Sequence, residues 1–302
     1  MNILTTGAWS EALKYIKTIE QMGHKVFFLQ QEKDELSCGY EWVEGVIGNG
    51  LFLLHPIEKF INLRYIQLTS AGFDRVPLDY IKSHSIKINN ARGVYSIPMA
   101  EFAIGGILQL YKQSRFFSKN QESREWIKHR NLIELFGKTV AIVGCGSVGN
   151  ECAKRFKAFG CMVIGCDVSV RADINYDNII NIDNLNEVLK IADIVVLTLP
   201  LLDTTYHIIN AKNLIFLKNK AILVNIARGA VVDTNALLLA ISQKQLAGAV
   251  LDVFETEPLP LESPLWQNDN VIVTPHNSFV SDNINQRLSE VILSNLSSFS
   301  TK

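Results

Sequence analysis

The sequence predicts an α/β protein built as two doubly wound parallel-sheet domains, and three observations carry that expectation. Short apolar runs alternate with helical periods along the 302 residues, the pattern of strand-crossover-strand units. The run Thr139–Val143, TVAIV, is apolar on both faces and β-branched, as a central strand covered by helices on each side should be. That run passes directly into Gly144, Gly146 and Gly149, a turn that opens a helix.

In a G-x-G-x-x-G turn the first glycine makes the bend, the second lets backbone approach a pyrophosphate, and the third allows helix and strand to pack closely. Free N–H groups and the helix dipole then favour an anion at that end. Ser147 can cap the helix or touch the same phosphate. A glycine triplet by itself also fits an ordinary structural turn, so the surroundings decide. The helix is expected from Ser147 to Phe159, with Val148, Cys152, Phe156 and Phe159 on one face and Gly160 as its stop. A second apolar strand, Met162–Cys166, ends in Asp167 about 20 residues beyond the glycines, where an acid can accept both adenosine ribose hydroxyls and repel a ribose phosphate. The expected cofactor is NAD rather than NADP, and nearby Arg171 is the one feature that softens this preference.

A net charge of −1 and the absence of a basic run argue against a nucleic-acid surface. With 48% apolar residues the chain can bury two cores. No apolar run reaches membrane-span length, and the start, MNILTTGAWSEALKY, lacks the regions of a signal peptide, so a cytoplasmic location is expected. Cys38, Cys145, Cys152, Cys161 and Cys166 contain no C-x-x-C pair and read as reduced, buried thiols, with no metal expected. A strand through Cys161 and Cys166 would point them to opposite faces.

Taken in order, residues 1–92 show strands at Asn2–Thr5, Lys25–Leu29, Glu44–Ile47, Tyr65–Thr69 and Ile86–Asn89. A first helix near Trp9–Met22 places Leu13, Ile16 and Ile19 at helical spacing, closed by Gly23. This half lacks a complete phosphate fingerprint and reads as the substrate domain. Its Ser70-Ala71-Gly72 loop exposes N–H groups that could hold a carboxylate, with an ordinary turn as the alternative. Tyr95, in the crossover Asn90–Tyr95, is expected to overhang a cleft. The apolar helix Pro98–Tyr111, with Gly105 and Gly106, suits a subunit interface or a hinge, and a homodimer built with Met99–Tyr111 is expected. Strands at Ile194–Leu199, Ala221–Ile226, Ala249–Val253 and Val271–Thr274 alternate with helices near Ala211–Leu217 and Thr234–Ser242. A last helix, Ser281–Leu296, is expected to return to the first domain. The domains are thus 1–92 with 277–302, and 93–276.

Three polar groups follow strand ends in the second half: Arg228 in VNIARGAVVD, Glu257 in LDVFETEP and His276 in VTPHNS. Groups beyond the carboxyl ends of strands converge on the ligand crevice of an open α/β sheet. A surface arginine, an acidic loop shared with Glu255 and a helix-entry histidine are the alternatives. Together the three suit 2-hydroxy acid chemistry. Arginine offers a planar two-donor fork for a carboxylate, histidine exchanges a proton near neutral pH, and a carboxylate beside it favours the imidazolium.

The segments VAIVGCGSVG, ADIVVLTLPLLDTTYHIIN, LVNIARGAVVDTNAL, LAGAVLDVFETEPLPLESPLW and NVIVTPHNS, spread over residues 138–278, form an ordered set. In these the chain resembles the NAD-dependent D-isomer-specific 2-hydroxyacid dehydrogenases, which include D-lactate and D-3-phosphoglycerate dehydrogenases and glyoxylate/hydroxypyruvate reductases. The resemblance implies a Rossmann NAD-binding domain plus a flavodoxin-like substrate domain, with a cleft between them that closes over a small 2-keto or 2-hydroxy acid. It implies that Arg228, Glu257 and His276 are catalytic and that Asp252 contacts the nicotinamide carboxamide. It also puts Gly144, Gly146, Ser147, Val148, Gly149, Asp167, Pro200, Thr205 and Ala227 at the cofactor. Ser70, Ala71, Gly72, Tyr95 and Arg228 fall to the substrate. Gly48-Asn49-Gly50-Leu51 departs from the family's second substrate loop and receives no role. A formate dehydrogenase is disfavoured by glutamate, not glutamine, at Glu257. The alternative of another class is an NAD(H)-sensing, co-repressor-like protein with little turnover.

Overall fold

The structure, a computed structural model, describes residues 1–300. Two compact units divide the chain: Met1–Tyr95 with Ser281–Lys302, and Ser96–Val280. The divisions lie a few residues beyond those expected from sequence.

The first unit contains β1 (Asn2–Thr6), α1 (Ala12–Gln21), β2 (Lys25–Leu29), β3 (Gly45–Gly48), β4 (Tyr65–Leu68), α2 (Leu78–Ser83) and β5 (Lys87–Asn89). Its sheet order is β2-β1-β3-β4-β5, every neighbouring pair parallel. β3 and β4 are buried along their whole length, and the one amide side chain among them, Gln67 in β4, donates to Leu68 O at 2.9 Å. The helix Ile284–Ser300 belongs to this unit. Leu288, Ile292 and Leu296 pack with Ile3, Trp9 and Tyr65, and the Trp9 indole donates to Ser289 Oγ at 3.0 Å. Leu13 corrects the reading of α1. The helix begins at Ala12, its buried face runs through Ala12 and Ile19, and Leu13 is 61% exposed.

The second unit contains α3 (Ser96–Tyr111), α4 (Ser114–Ser123), β6 (Thr139–Val143), α5 (Ser147–Ala158), β7 (Met162–Asp167) and β8 (Asn178–Asn181). It continues with α6 (Leu185–Ile191), β9 (Ile194–Leu197), α7 (Ala211–Leu214), β10 (Ile222–Asn225), α8 (Thr234–Ser242), β11 (Gly248–Leu251) and β12 (Val271–Val273). Its parallel sheet runs β12-β11-β10-β9-β6-β7-β8, the dinucleotide-binding order with one further strand. The order reverses between β6 and β9, so the loops after these strands flank the switch point. Alternate residues of β6 feed two cores, Ala141 and Val143 into one, Val140 and Ile142 into the other. Cys166 and Cys161 likewise fall into different cores. Burial pushes the Cys145 thiol up to about 11 and the Cys166 thiol up to about 12, so both stay protonated at neutral pH.

Two expectations change here. α3 lines its own unit's core: Ala100, Ala103, Ile104 and Ile107 are buried, and a Cβ on Gly106 would come within 2.6 Å of Val250. Gly106, one of the two glycines that suggested a subunit interface, serves this helix-on-sheet contact, whereas a Cβ on Gly105 would meet nothing within 4 Å. Phe159 lies beyond the end of α5 and is 43% exposed, whereas Cys152 and Phe156 are buried.

Candidate active site

The glycine turn after β6 has the form its three positions predict. Gly144 takes φ +98°, and a Cβ there would press within 2.7 Å of Leu199 N in the loop after β9. A Cβ on Gly149 would meet Gly144 O at 2.1 Å, so the third glycine is what lets α5 close onto β6. Gly146 is exposed with nothing within 4 Å of its Cβ position, the open ground a pyrophosphate needs. Gly146, not Ser147, is the N-cap, and no side chain caps α5. The first N–H groups of the helix, including those of Ser147, Val148 and Gly149, are therefore left for an anion. Val148 packs its side chain on the core below. Thr198, which the sequence reading passed over, clamps the turn by donating to Gly144 O at 2.6 Å.

Asp167 ends β7 with its carboxylate turned to the same turn. Oδ2 accepts the Cys145 N–H at 2.6 Å and Oδ1 the Ser169 N–H at 2.9 Å, leaving each oxygen capacity for a ribose hydroxyl. Arg171 donates to the Cys145 carbonyl and, at 3.3 Å, to Ser169 O, so a cation sits beside the acid. These residues fit a dinucleotide. Asp167→Ala should narrow the kcat/KM preference for NADH over NADPH by about tenfold, the worth of one charged hydrogen bond. Equal wild-type efficiency with both cofactors contradicts the assignment.

His276, Glu257 and Arg228 follow β12, β11 and β10, which are neighbours in the sheet. His276 Nδ1 lies 2.9 Å from Glu257 Oε2, while Glu257 Oε1 accepts the Phe254 N–H at 3.0 Å. His276 Nε2 makes no hydrogen bond among the described residues, and the ring is 43% exposed. The backbone at His276 is left-handed, φ +52°, a conformation that persists only where its surroundings impose it. Those surroundings centre on Asp252, which has no exposed surface. Its Oδ1 accepts Thr274 Oγ1 at 2.6 Å and the Asn277 N–H at 2.8 Å, and its Oδ2 accepts the Ser278 N–H at 2.9 Å. The His276 N–H donates to Asp252 O at 2.8 Å. Asp252 was expected to face the nicotinamide carboxamide. In the structure it is enclosed, and its carboxylate holds the loop that carries His276.

Arg228 leaves β10 half-buried, with Nη1 donating to Ala227 O at 2.7 Å. Buried Asn225 shapes this loop, accepting from the Ala227 N–H at 3.1 Å and donating to Arg228 O at 3.0 Å. The signal for it was a lone polar residue in an apolar strand. A Cβ on Gly229 would lie 1.9 Å from Phe254 C, so glycine lets the Arg228 loop abut the loop bearing Glu257. A second acid–imidazole pair lies close by, Glu255 Oε1 with His207 Nε2 at 2.6 Å. Burial would raise the Glu255 carboxyl, but hydrogen bonds from Thr234 and His207 outweigh it and hold it below its ordinary value.

Two expected contact residues also brace their own loops. The Thr205 hydroxyl is buried and donates to Pro200 O at 2.7 Å, closing the turn after β9 and leaving Pro200 exposed. Tyr95, in the first unit, donates its hydroxyl to Thr69 O, which engages its polar end beneath the Ser70 loop rather than in open solvent. In that loop Ser70 Oγ donates to Gly72 O at 3.0 Å, and Asn90 Nδ2 to Ala71 O at 2.5 Å. The Ala71 and Gly72 N–H groups have no partner among the described residues.

The family described as D-isomer specific 2-hydroxyacid dehydrogenase, NAD binding domain, matches residues 104–278. The chain belongs to this family. It is an NAD-dependent 2-hydroxyacid dehydrogenase, and the glycine turn described above lies in its NAD-binding domain. Over 242 residues the dehydrogenase is 37% identical to a glyoxylate reductase of Thermofilum pendens, covering 78% of this chain and 71% of that protein. Among solved structures, a D-isomer specific 2-hydroxyacid dehydrogenase family protein from Aeromonas salmonicida superposes with a TM-score of 0.85 at 29% identity, covering 99% and 94% of the two chains. The D-lactate dehydrogenase of Aquifex aeolicus, solved with NAD and lactic acid, gives 0.81 at 26% identity over 99% and 96%.

Proposed function

We propose that the dehydrogenase interconverts a small 2-keto acid and its D-2-hydroxy acid, with His276 as the proton donor and acceptor, Glu257 as its partner and Arg228 orienting the substrate. The observation that carries this reading is the 2.9 Å bond from His276 Nδ1 to Glu257, which leaves Nε2 outward for a substrate oxygen. Bound NAD(H) supplies the hydride exchange at the substrate's C2. Protonated His276 gives its Nε2 proton to the 2-keto oxygen in reduction and takes it back from the 2-hydroxyl in oxidation. Glu257 stabilises the imidazolium and fixes the ring's orientation. Arg228 sets a two-donor fork toward the carboxylate and carbonyl. The Ala71 and Gly72 N–H groups, unpartnered in their loop, receive the substrate carboxylate. Asp252, with no exposed surface, serves His276 by holding its loop.

The test follows NADH absorbance with glyoxylate, hydroxypyruvate, pyruvate, bulkier 2-keto acids and 3-phosphohydroxypyruvate. Glyoxylate heads the panel because of the relative named glyoxylate reductase. Turnover of at least one supports the reading, and no turnover of any, with NADH bound, overturns it. The reading includes a cytoplasmic homodimer. Support for a dimer comes from the segment after α4, where Trp126 is 96% exposed and Phe136 74% exposed. Sedimentation as a monomer at micromolar concentration refutes the dimer and leaves the chemistry untouched.

A further inference from the structure

The first unit carries an acid that no step above uses. Glu32, just after β2, turns its carboxylate onto the loop that follows β3. Oε1 accepts the Asn49 N–H at 2.7 Å and the Thr6 hydroxyl at 2.9 Å, and Oε2 accepts the Gly50 N–H at 2.8 Å. Its backbone is pinned as well, since His55 Nε2 lies 2.8 Å from Glu32 O and His55 Nδ1 3.0 Å from Tyr40 OH. A Cβ on Gly48 would stand 2.7 Å from Oε1, so glycine there makes room for the acid. Successive backbone N–H groups of this kind form an anion site. Here a side chain of the same chain fills it.

The position gives this arrangement its consequence. β3 and β4 are adjacent, and the Thr69 N–H donates to Gly48 O at 2.9 Å, so the Asn49–Gly50 loop lies beside Ser70–Gly72. Neighbouring strands are about 4.8 Å apart, close to the span between the two ends of a four- or five-carbon keto acid. Among the described residues no cation pairs with Glu32. A substrate whose carboxylate is held at Ala71 and Gly72 therefore meets, one loop over, N–H groups already taken and a like charge.

We propose that Glu32 is a specificity-determining residue that excludes 2-keto acids with an anionic distal group, by occupying the Asn49–Gly50 N–H pair and repelling a second anion. This rests on the proposed seat of the substrate carboxylate at Ser70–Gly72. Glycine turns expose N–H groups in many loops, but only a carboxylate in place converts such a loop from an anion receptor into an anion filter.

The experiment compares 2-oxoglutarate with 2-oxovalerate, which share chain length and differ in distal charge, for the wild type, Glu32→Gln and Glu32→Ala with NADH. The expected result is a kcat/KM ratio of 2-oxoglutarate to 2-oxovalerate at least tenfold higher in both variants, carried by KM. In Glu32→Ala, added acetate should reverse the gain by reoccupying the freed N–H groups, a response that mere loosening of the loop does not produce. Ratios within twofold of wild type in both variants overturn the proposal. Should the wild type reduce no 2-keto acid, the functional reading fails separately. Calorimetric titration of 2-oxoglutarate into the NADH-loaded protein then decides: at least tenfold tighter binding by Glu32→Ala supports the filter, and unchanged affinity overturns it.

Discussion

His276→Ala lowers kcat for the best 2-keto acid by about 10²- to 10⁴-fold, the usual contribution of a positioned general acid. NADH affinity stays near wild type, because the substitution removes a proton donor and no group of the glycine turn or of Asp167. The split follows from the geometry: Glu257 engages Nδ1, and Nε2, in a side chain 43% exposed, makes no hydrogen bond among the described residues. Fluorescence titration of NADH and steady-state kinetics read the two quantities independently. A variant that reduces its substrate at the wild-type rate removes His276 from the mechanism.

The second large effect belongs to Asp252. Truncation to alanine strips the acceptor from Thr274 Oγ1 and from the Asn277 and Ser278 N–H groups in one step. Of the three, the Ser278 N–H is the buried donor, and a buried donor left without a partner costs about 1–3 kcal/mol, so Asp252→Ala should lose about 1–3 kcal/mol. It should also release the left-handed backbone at His276. The expected outcome is a lower urea midpoint at constant m-value, together with a fall in kcat that exceeds any change in NADH affinity. Wild-type stability and kcat in this variant would show that the loop is held by other means.

Much of this was legible in the sequence because the second unit's strands are buried on both faces, which leaves runs such as TVAIV and ILVN with little ambiguity. Glycines 144 and 149 were legible for a related reason: a close approach of backbone admits no other residue. Arg228, Glu257 and His276 could be marked because each follows a strand end. What escaped is the work of polar side chains whose partners lie far along the chain. Asp252 meets residues 22 to 26 positions away, and Glu32 meets Thr6 and Gly50. Only the side-by-side order of the strands creates these contacts. Polar helices such as α4, with no apolar stripe, and the short strand β8 escaped for want of periodicity.

The central claim is that one proton passes through His276 and that Glu257 acts through it, and a double-mutant cycle on kcat tests it most directly. Glu257→Gln keeps the shape and a hydrogen bond to the ring but removes the carboxylate that holds Nδ1 at 2.9 Å, so it should lower kcat in the wild-type background while NADH affinity stays near wild type. In the His276→Ala background the same substitution should change kcat by less than about twofold, because the group it serves is gone. Equal losses from Glu257→Gln in both backgrounds would contradict the account.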